Sequence, residues 1–123
     1  MPGSREQIRP GWEWLEAILD HTAAVIFVKD ADRRYLLVNR RFESLFGVSR
    51  DAALGKSNQE LFPPEIANVL DANERLAIDS NVPHEYEEVV RGPQGPRTFQ
   101  SLRFVLRDSE DRFLGLCGIS NEI

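Results

Sequence analysis

VNRRFESLFGVSRDAALGKSNQELFP, residues 38–63, couples small residues to an apolar spacing that dictates a local shape. Asn39 follows an apolar, strand-like run and can accept a hydrogen bond from the free N–H groups of a first helical turn, so it reads as an N-cap. Phe42, Leu45 and Phe46 recur at three- and four-residue spacing on one face of a short helix, and Gly47 supplies the left-handed residue that stops it. Ser49 opens a second turn with Asp51 near its positive end, and Leu54 with Gly55 closes it. Two clipped helices are predicted. Helices this short gain little from propensity and must be held by burial against something larger.

Working outward, the order of elements is α+β. Residues 1–11 are polar and carry Pro and Gly, and read as a flexible leader. A helix is predicted from Trp12 to His21, with Trp12, Leu15, Ile18 and Leu19 on one side. Residues 24–29 and 34–38 are short β-branched strands joined by Asp30-Ala31-Asp32-Arg33 into a hairpin. Pro64 sits where a helix can begin, and Ile66, Val69, Leu70, Asn73, Leu76 and Ala77 mark a stripe that ends near Asn81. Three strands follow, 84–91, 96–107 and 111–120. The turns between them, at Gly92-Pro93-Gln94-Gly95 and Asp108-Ser109-Glu110, suit antiparallel neighbours.

A chain of 123 residues can bury on the order of two-thirds of its unfolded surface, enough for one domain, residues 12–123, and not two. A single cysteine, Cys117, excludes an internal disulfide, and no run of about 20 apolar residues or cleavable leader is present. A cytoplasmic location follows as the expectation. The net charge of −5 argues against nucleic-acid binding and direct membrane contact. Arg33, Arg34, Arg40 and Arg41 cluster locally and read as solvated arginines paired with nearby acids.

Signals for chemistry fail on inspection. Gly55-Lys56-Ser57 mimics the end of a phosphate-binding loop, but Arg50 stands where that loop needs its first glycine. Asp30-Ala31-Asp32 resembles the start of a calcium loop, yet Tyr35 occupies the sharp-turn position and no Glu closes it. Strand alternation sends Glu85 and Glu87 away from His84 and Glu88, so no metal set forms there. No Ser or Cys has a His at recognisable spacing. Neither catalytic nor metal-binding residues are expected, and the domain reads as non-enzymatic.

Strand parity carries more. Phe99, Ser101, Arg103 and Val105 share one face of their strand, and Leu102, Phe104 and Leu106 the other. The last strand divides into Phe113, Cys117 and Ile119 against Leu114 and Leu116. Both faces are apolar, so each must be covered.

The quoted segment resembles the PAS domain, the Per-Arnt-Sim sensory fold. Asn39, Phe42, Leu45, Gly47, Ser49, Leu54, Gly55 and Lys56 fall on that family's central pattern in register, with Val48 where Tyr is common and Ala52 where Glu is common. The resemblance runs on through Gly95, Asp108 and GLCGISNEI at residues 115–123, and covers roughly Trp14 to the end. It implies a five-stranded antiparallel sheet with short helices and any ligand on the inner face. The N-terminal helix and a second subunit belong on the outer face. Inward-facing candidates are Phe27, Phe42, Phe46, Leu54, Phe62, Val69, Asn73, Tyr86, Glu88, Phe99, Ser101, Arg103 and Cys117. Asn73, Tyr86, Ser101 and Arg103 among them could fix a polar or acidic group. Arg103 could equally pair with Glu88 and close the cavity. Homodimer candidates are Trp12, Leu15, Ile18, Leu19, Leu102, Phe104, Leu106, Leu114 and Leu116.

The resemblance also bears on cofactors and context. Haem is disfavoured because no His stands on the helix after Pro64. Covalent flavin photochemistry is excluded because Lys56-Ser57-Asn58-Gln59-Glu60 lacks the reactive Cys. Non-covalent flavin or a small organic ligand stays open. Asn121-Glu122-Ile123 resembles the motif that starts a linker toward an output domain of the same chain, of histidine kinase or diguanylate cyclase type. A ligand-sensing module is the first reading, a ligand-free dimerisation or docking module the second, and a small cone-shaped α+β enzyme the third.

Overall fold

The fold is set by where the first hairpin leaves the chain. In a computed structural model describing residues 11–123, β1 (Val25–Asp30) and β2 (Tyr35–Val38) form that hairpin. Its turn is closed by Asp30, whose Oδ1 accepts from the N–H groups of Asp32 and Arg34. Strands β3 (His84–Gly92), β4 (Gly95–Arg107) and β5 (Phe113–Glu122) complete one antiparallel sheet in the order β2-β1-β5-β4-β3. The chain therefore leaves β2 at one edge and must cross a whole face to begin β3 at the other. That crossing consists of α2 (Arg40–Phe46), α3 (Arg50–Ala53), α4 (Asn58–Leu61) and α5 (Pro64–Ser80). Helix α1 (Trp12–Asp20) precedes the sheet. All but Gly11 of the predicted leader lies outside the described residues.

The caps are those the small residues predict. The Asn39 side chain accepts from Phe42 N, and Gly47 ends α2 at φ 67°. Asn39 does more than cap. Its Oδ1 also accepts from Ile26 N at 3.0 Å, and its Nδ2 donates to Leu19 O at 2.8 Å and Ala24 O at 2.9 Å. Both donors and both lone pairs of the amide are thus used, joining the end of α1 and the start of β1 to α2. Sequence reading missed α4, which is held by a capping box between Ser57 and Glu60.

The main core lies between the inner face and the helices, built from Phe27, Tyr35, Val38, Phe42, Leu45, Phe99 and Leu116 among others. Helix α5 buries Ala67, Leu70, Glu74 and Ala77, a stripe displaced from the predicted one. Val69, at 55% exposure, and Leu76 face outward, because a carboxylate with its own partner occupies the core position that an apolar reading leaves out.

A second, smaller cluster forms on the outer face around Ala24, Ile26 and Cys117, with Leu19, Val28, Phe104, Leu106 and Ile119 against it. Two residues of β5 exchange the faces expected of them. Cys117 pairs with Val28 and Phe104 on the outer side, whereas Leu116 pairs with Lys29 and Val105 and is wholly buried inside. Parity separates the two residues, but only the register to β1 and β4 assigns the sides. Leu116 is accordingly a core residue and not a dimer-interface one. Trp12, Leu15 and Ile18 are exposed, and Leu19 alone of that helix face packs on the outer cluster.

Candidate functional site

A cavity lies between the inner sheet face and helices α2 and α5, walled by Phe27, Tyr35, Phe42, Leu45, Phe46 and Leu70 with Glu74, Glu88, Arg103 and Ser120 as its polar groups. It is narrow: the centre of a water molecule has about 20 Å³ in which to move, room for one or two waters. Gly118 shapes its floor. A Cβ there would stand 2.1 Å from Cε2 of Phe27, so only glycine lets that ring lie against the sheet beside Arg103, which faces Gly118 across the β4–β5 ladder.

Arg103 is the unusual member of the wall. It is 3% exposed, and among the described residues its Nε and Nη1 meet no partner. Its Nη2 lies 3.8 Å from Oε2 of Glu88, too far for a hydrogen bond. Charges at such a separation still attract by about 4 kcal/mol at an effective dielectric of about 20. The guanidinium also sits 5.0 Å from the Phe27 ring centre and 5.6 Å from that of Tyr86. Among the described residues the buried Tyr86 hydroxyl has no partner, and burial pushes its pKa upward. Ser101 donates to Glu88 Oε2 and its Oγ lies 2.7 Å from Ser120 Oγ. The cavity wall thus carries one cation with two unmet donors, the Glu88 carboxylate beside it and the Glu74 carboxylate at its edge.

Beside it lies a polar cluster that sequence reading missed. Lys29 Nζ donates to both oxygens of Glu74 at 2.8 and 3.0 Å, with both side chains almost wholly buried. Asn58 Nδ2 donates to Glu74 Oε2 and Asp71 Oδ1, both at 2.9 Å, and Tyr35 Oη donates to Asn58 Oδ1 at 2.5 Å. Arg33 reaches Glu74 Oε1 at 3.2 Å from the hairpin turn. Burial lowers the Lys29 pKa against the opposing pull of Glu74. This cluster ties β1, α4 and α5 together, and its carboxylate is saturated. A readable signal existed: Lys29 shares strand parity with Phe27, which points both inward.

Of the thirteen residues nominated for the pocket, Phe27, Phe42, Phe46, Glu88 and Arg103 line the cavity. Phe62 and Phe99 are buried in the surrounding core. Ser101 and Tyr86 stand behind Glu88 and Arg103, and Asn73 is half-buried on α5 without lining the cavity. Three are displaced. Leu54, 57% exposed, caps α3 at the surface; Val69 faces solvent for the reason given above; and Cys117 lies across the sheet. Burial pushes the Cys117 thiol up to about 11, which leaves it protonated and unreactive at neutral pH. Of the basic cluster, Arg33 pairs with Asp71 and Glu74, Arg34 with Glu60, and Arg41 with Glu122.

A family model described as the PAS fold matches residues 19–123. The chain belongs to the PAS-fold family. The PAS domain is 30% identical over 107 residues, 86% of its length, to the methanogenesis regulatory histidine kinase FilI of Methanothrix harundinacea, and spans 12% of that kinase. Among solved structures it is similar to a PAS domain from Colwellia psychrerythraea, with a TM-score of 0.71 and 19% identity, covering 90% of this chain and 95% of the other. It is also similar to Vibrio cholerae VqmA in a complex with ligand and DNA, with a TM-score of 0.77 and 15% identity, covering 93% of this chain and 51% of the other. At these identities the two structures speak to the fold alone. It is a sensory PAS domain with a histidine kinase among its relatives, and no helix of the described residues is long and apolar enough to cross a membrane.

Proposed function

We propose that this PAS domain is the cytoplasmic sensory input of a longer signalling chain. It takes a small molecule into the inner cavity and relays its occupancy to an output domain of histidine kinase type. The observation that carries this is Arg103, a buried cation at the cavity wall with two nitrogens unpaired among the described residues. A buried charge without full pairing costs stability, and a ligand that supplies the missing acceptor recovers it. The kinase relative supports the output, and VqmA, a neighbour in fold, forms a complex with a ligand and DNA.

The ion pairs at the end of β5 support such a relay. Glu122 accepts from Arg41 of α2 and from Arg97 of β4, and α2 also supplies Phe42 and Phe46 to the cavity. A ligand that displaces α2 therefore pulls on Asn121-Glu122-Ile123, the proposed exit toward the output domain.

A second reading, a ligand-free homodimerisation or docking module, is favoured by two observations: the small cavity, and an outer face where Phe104, Leu106 and Ile119 are only partly covered. Leu102 belongs to the same reading, with the exposed Trp12, Leu15 and Ile18 of α1; Leu114, which shares the parity of Leu116 and lies at a register shift between β4 and β5, is exposed but joins no outer-face cluster. A native mass spectrum of freshly purified protein separates the two. A dimer carrying a defined extra mass supports ligand sensing; a bare dimer favours docking. A bare monomer at tens of micromolar would refute the dimer common to both.

A further inference from the structure

Arg103 and Glu88 stand together at the cavity wall without satisfying one another. Their closest approach is 3.8 Å, and among the described residues the guanidinium Nε and Nη1 and the Tyr86 hydroxyl have no partners. The Glu88 carboxylate receives one side-chain hydrogen bond among the described residues, from Ser101. Donors in need of an acceptor thus lie beside an acceptor with capacity to spare.

Resting on the pocket reading above, we propose that the cavity selects uncharged ligands whose polar end carries a hydrogen-bond acceptor next to a donor, as a carboxamide does. The amide oxygen accepts from Arg103, and the amide N–H donates to Glu88. An anion fares worse, because Arg103 attracts it and Glu88 repels it at similar range. The two leading electrostatic effects then oppose each other, and the loss of the anion's hydration is left uncompensated. The mirror argument disfavours a cation. Glu74 does not tip the balance, since its carboxylate is engaged by Lys29, Arg33 and Asn58. A neutral amide keeps the charge of the site unchanged and meets donors that are costly while buried and unmet.

The size of the ligand follows from the walls. Phe46, Leu70, Glu88 and Val90 border both the cavity and a surface cleft between α5 and β3, where the centre of a water molecule has about 130 Å³. Phe46 stands between the two spaces, and the proposal requires its ring to turn aside so that they join. A polar head then sits at Arg103 and Glu88, and a tail of a few carbons lies among Phe42, Phe46 and Leu70.

Butyramide and butyrate have nearly the same shape and differ in charge, so they form the test pair. Each is titrated into the 123-residue chain and followed by the backbone amide NMR shifts of Arg103, Gly118 and Val90. The wild-type protein should bind butyramide at least about tenfold more tightly than butyrate, about 1.4 kcal/mol. Glu88→Gln, which keeps the shape and removes the charge, should strengthen butyrate about tenfold and leave butyramide within a factor of about three. Equal binding of the two probes to the wild type, or an unchanged ratio in Glu88→Gln, would overturn the selection rule and leave the pocket reading standing, since a ligand still binds. Binding of neither probe at millimolar concentration overturns the rule as well, and with a bare mass spectrum it removes the pocket reading too.

Discussion

Replacing Lys29 with Met removes one ammonium from the interior and keeps most of the side-chain volume, which makes it a direct probe of the charged cluster. Lys29 and Glu74 are almost wholly buried and joined by two hydrogen bonds. Removing one partner of such a pair typically costs about 3–5 kcal/mol, because the survivor is left charged in a poor solvent. Here the survivor is not alone: Glu74 keeps Asn58 on Oε2 and Arg33 on Oε1. The loss should therefore fall at the lower end, about 3 kcal/mol, or a Tm lower by about 10 °C for a chain of this size. The compensated variant Lys29→Met with Glu74→Leu removes both charges, and buried pairs replaced by apolar groups of similar volume are often no less stable. Asn58 then keeps Asp71 as its acceptor, and Arg33 is exposed enough to be solvated. The double variant should recover to within about 1 kcal/mol of wild type. Urea denaturation of all four proteins of the cycle measures the coupling. A single variant within about 1 kcal/mol of wild type, or a double variant weaker than both singles, would refute the account of the cluster as a closed, mutually dependent pair.

Three further outcomes follow from other parts of the fold. Asn39→Ala removes a cap worth about 1 kcal/mol and leaves Leu19 O, Ala24 O and Ile26 N without their partner, so the total should be about 3–4 kcal/mol by chemical denaturation. Asn39→Asp, which keeps the cap and loses both donors, should also destabilise; wild-type stability there would sink the four-bond account. Gly118→Ala should cost about 1–3 kcal/mol by crowding the Phe27 ring, with part of that cost recovered by Phe27→Leu; a neutral Gly118→Ala would show that the ring moves freely.

The last outcome concerns acid. Glu60 is held below its ordinary pKa by the Ser57 backbone N–H and then by Arg34, Asp108 by the Arg112 backbone N–H, and Glu122 by Arg97. Burial raises the Asp71 pKa, but hydrogen bonds from Gln59 and Asn58 and the Arg33 charge outweigh it, and the net shift is downward. Folded pKa values below the unfolded ones mean stability that is present above 4.5 and 3.8 and lost as pH falls through the folded values. Calorimetric Tm should hold above that range and drop below it. A decline that begins well above pH 4.5 would refute the assignment to these carboxylates.

Local chemistry in this chain was legible because it depends on neighbours in sequence. As helix caps, Asn39, Gly47 and Ser49 act through backbone groups within three or four residues, so the clipped helices can be read without knowing what covers them, whereas the bonds of Asn39 to Leu19, Ala24 and Ile26 cannot. Strand parity was legible for the same reason: Arg103 and Phe99 share a face whatever the sheet does. Which face that is, however, depends on register. Cys117 and Leu116 changed places because their sides are fixed by pairing with Val28 and Lys29, nearly ninety residues earlier in the chain. The buried Glu74 shows the limit most clearly. On its helix it interrupts an apolar stripe, and only contact with Lys29, 45 residues away, turns a charge that should face water into part of the core. The sequence by itself determined the caps, the turns and the two-faced strands, since their energies are local. The tertiary structure alone decided which charges are buried, which partners neutralise them and where a cavity with an unmet cation remains, since desolvation and pairing are settled by neighbours that only folding brings together.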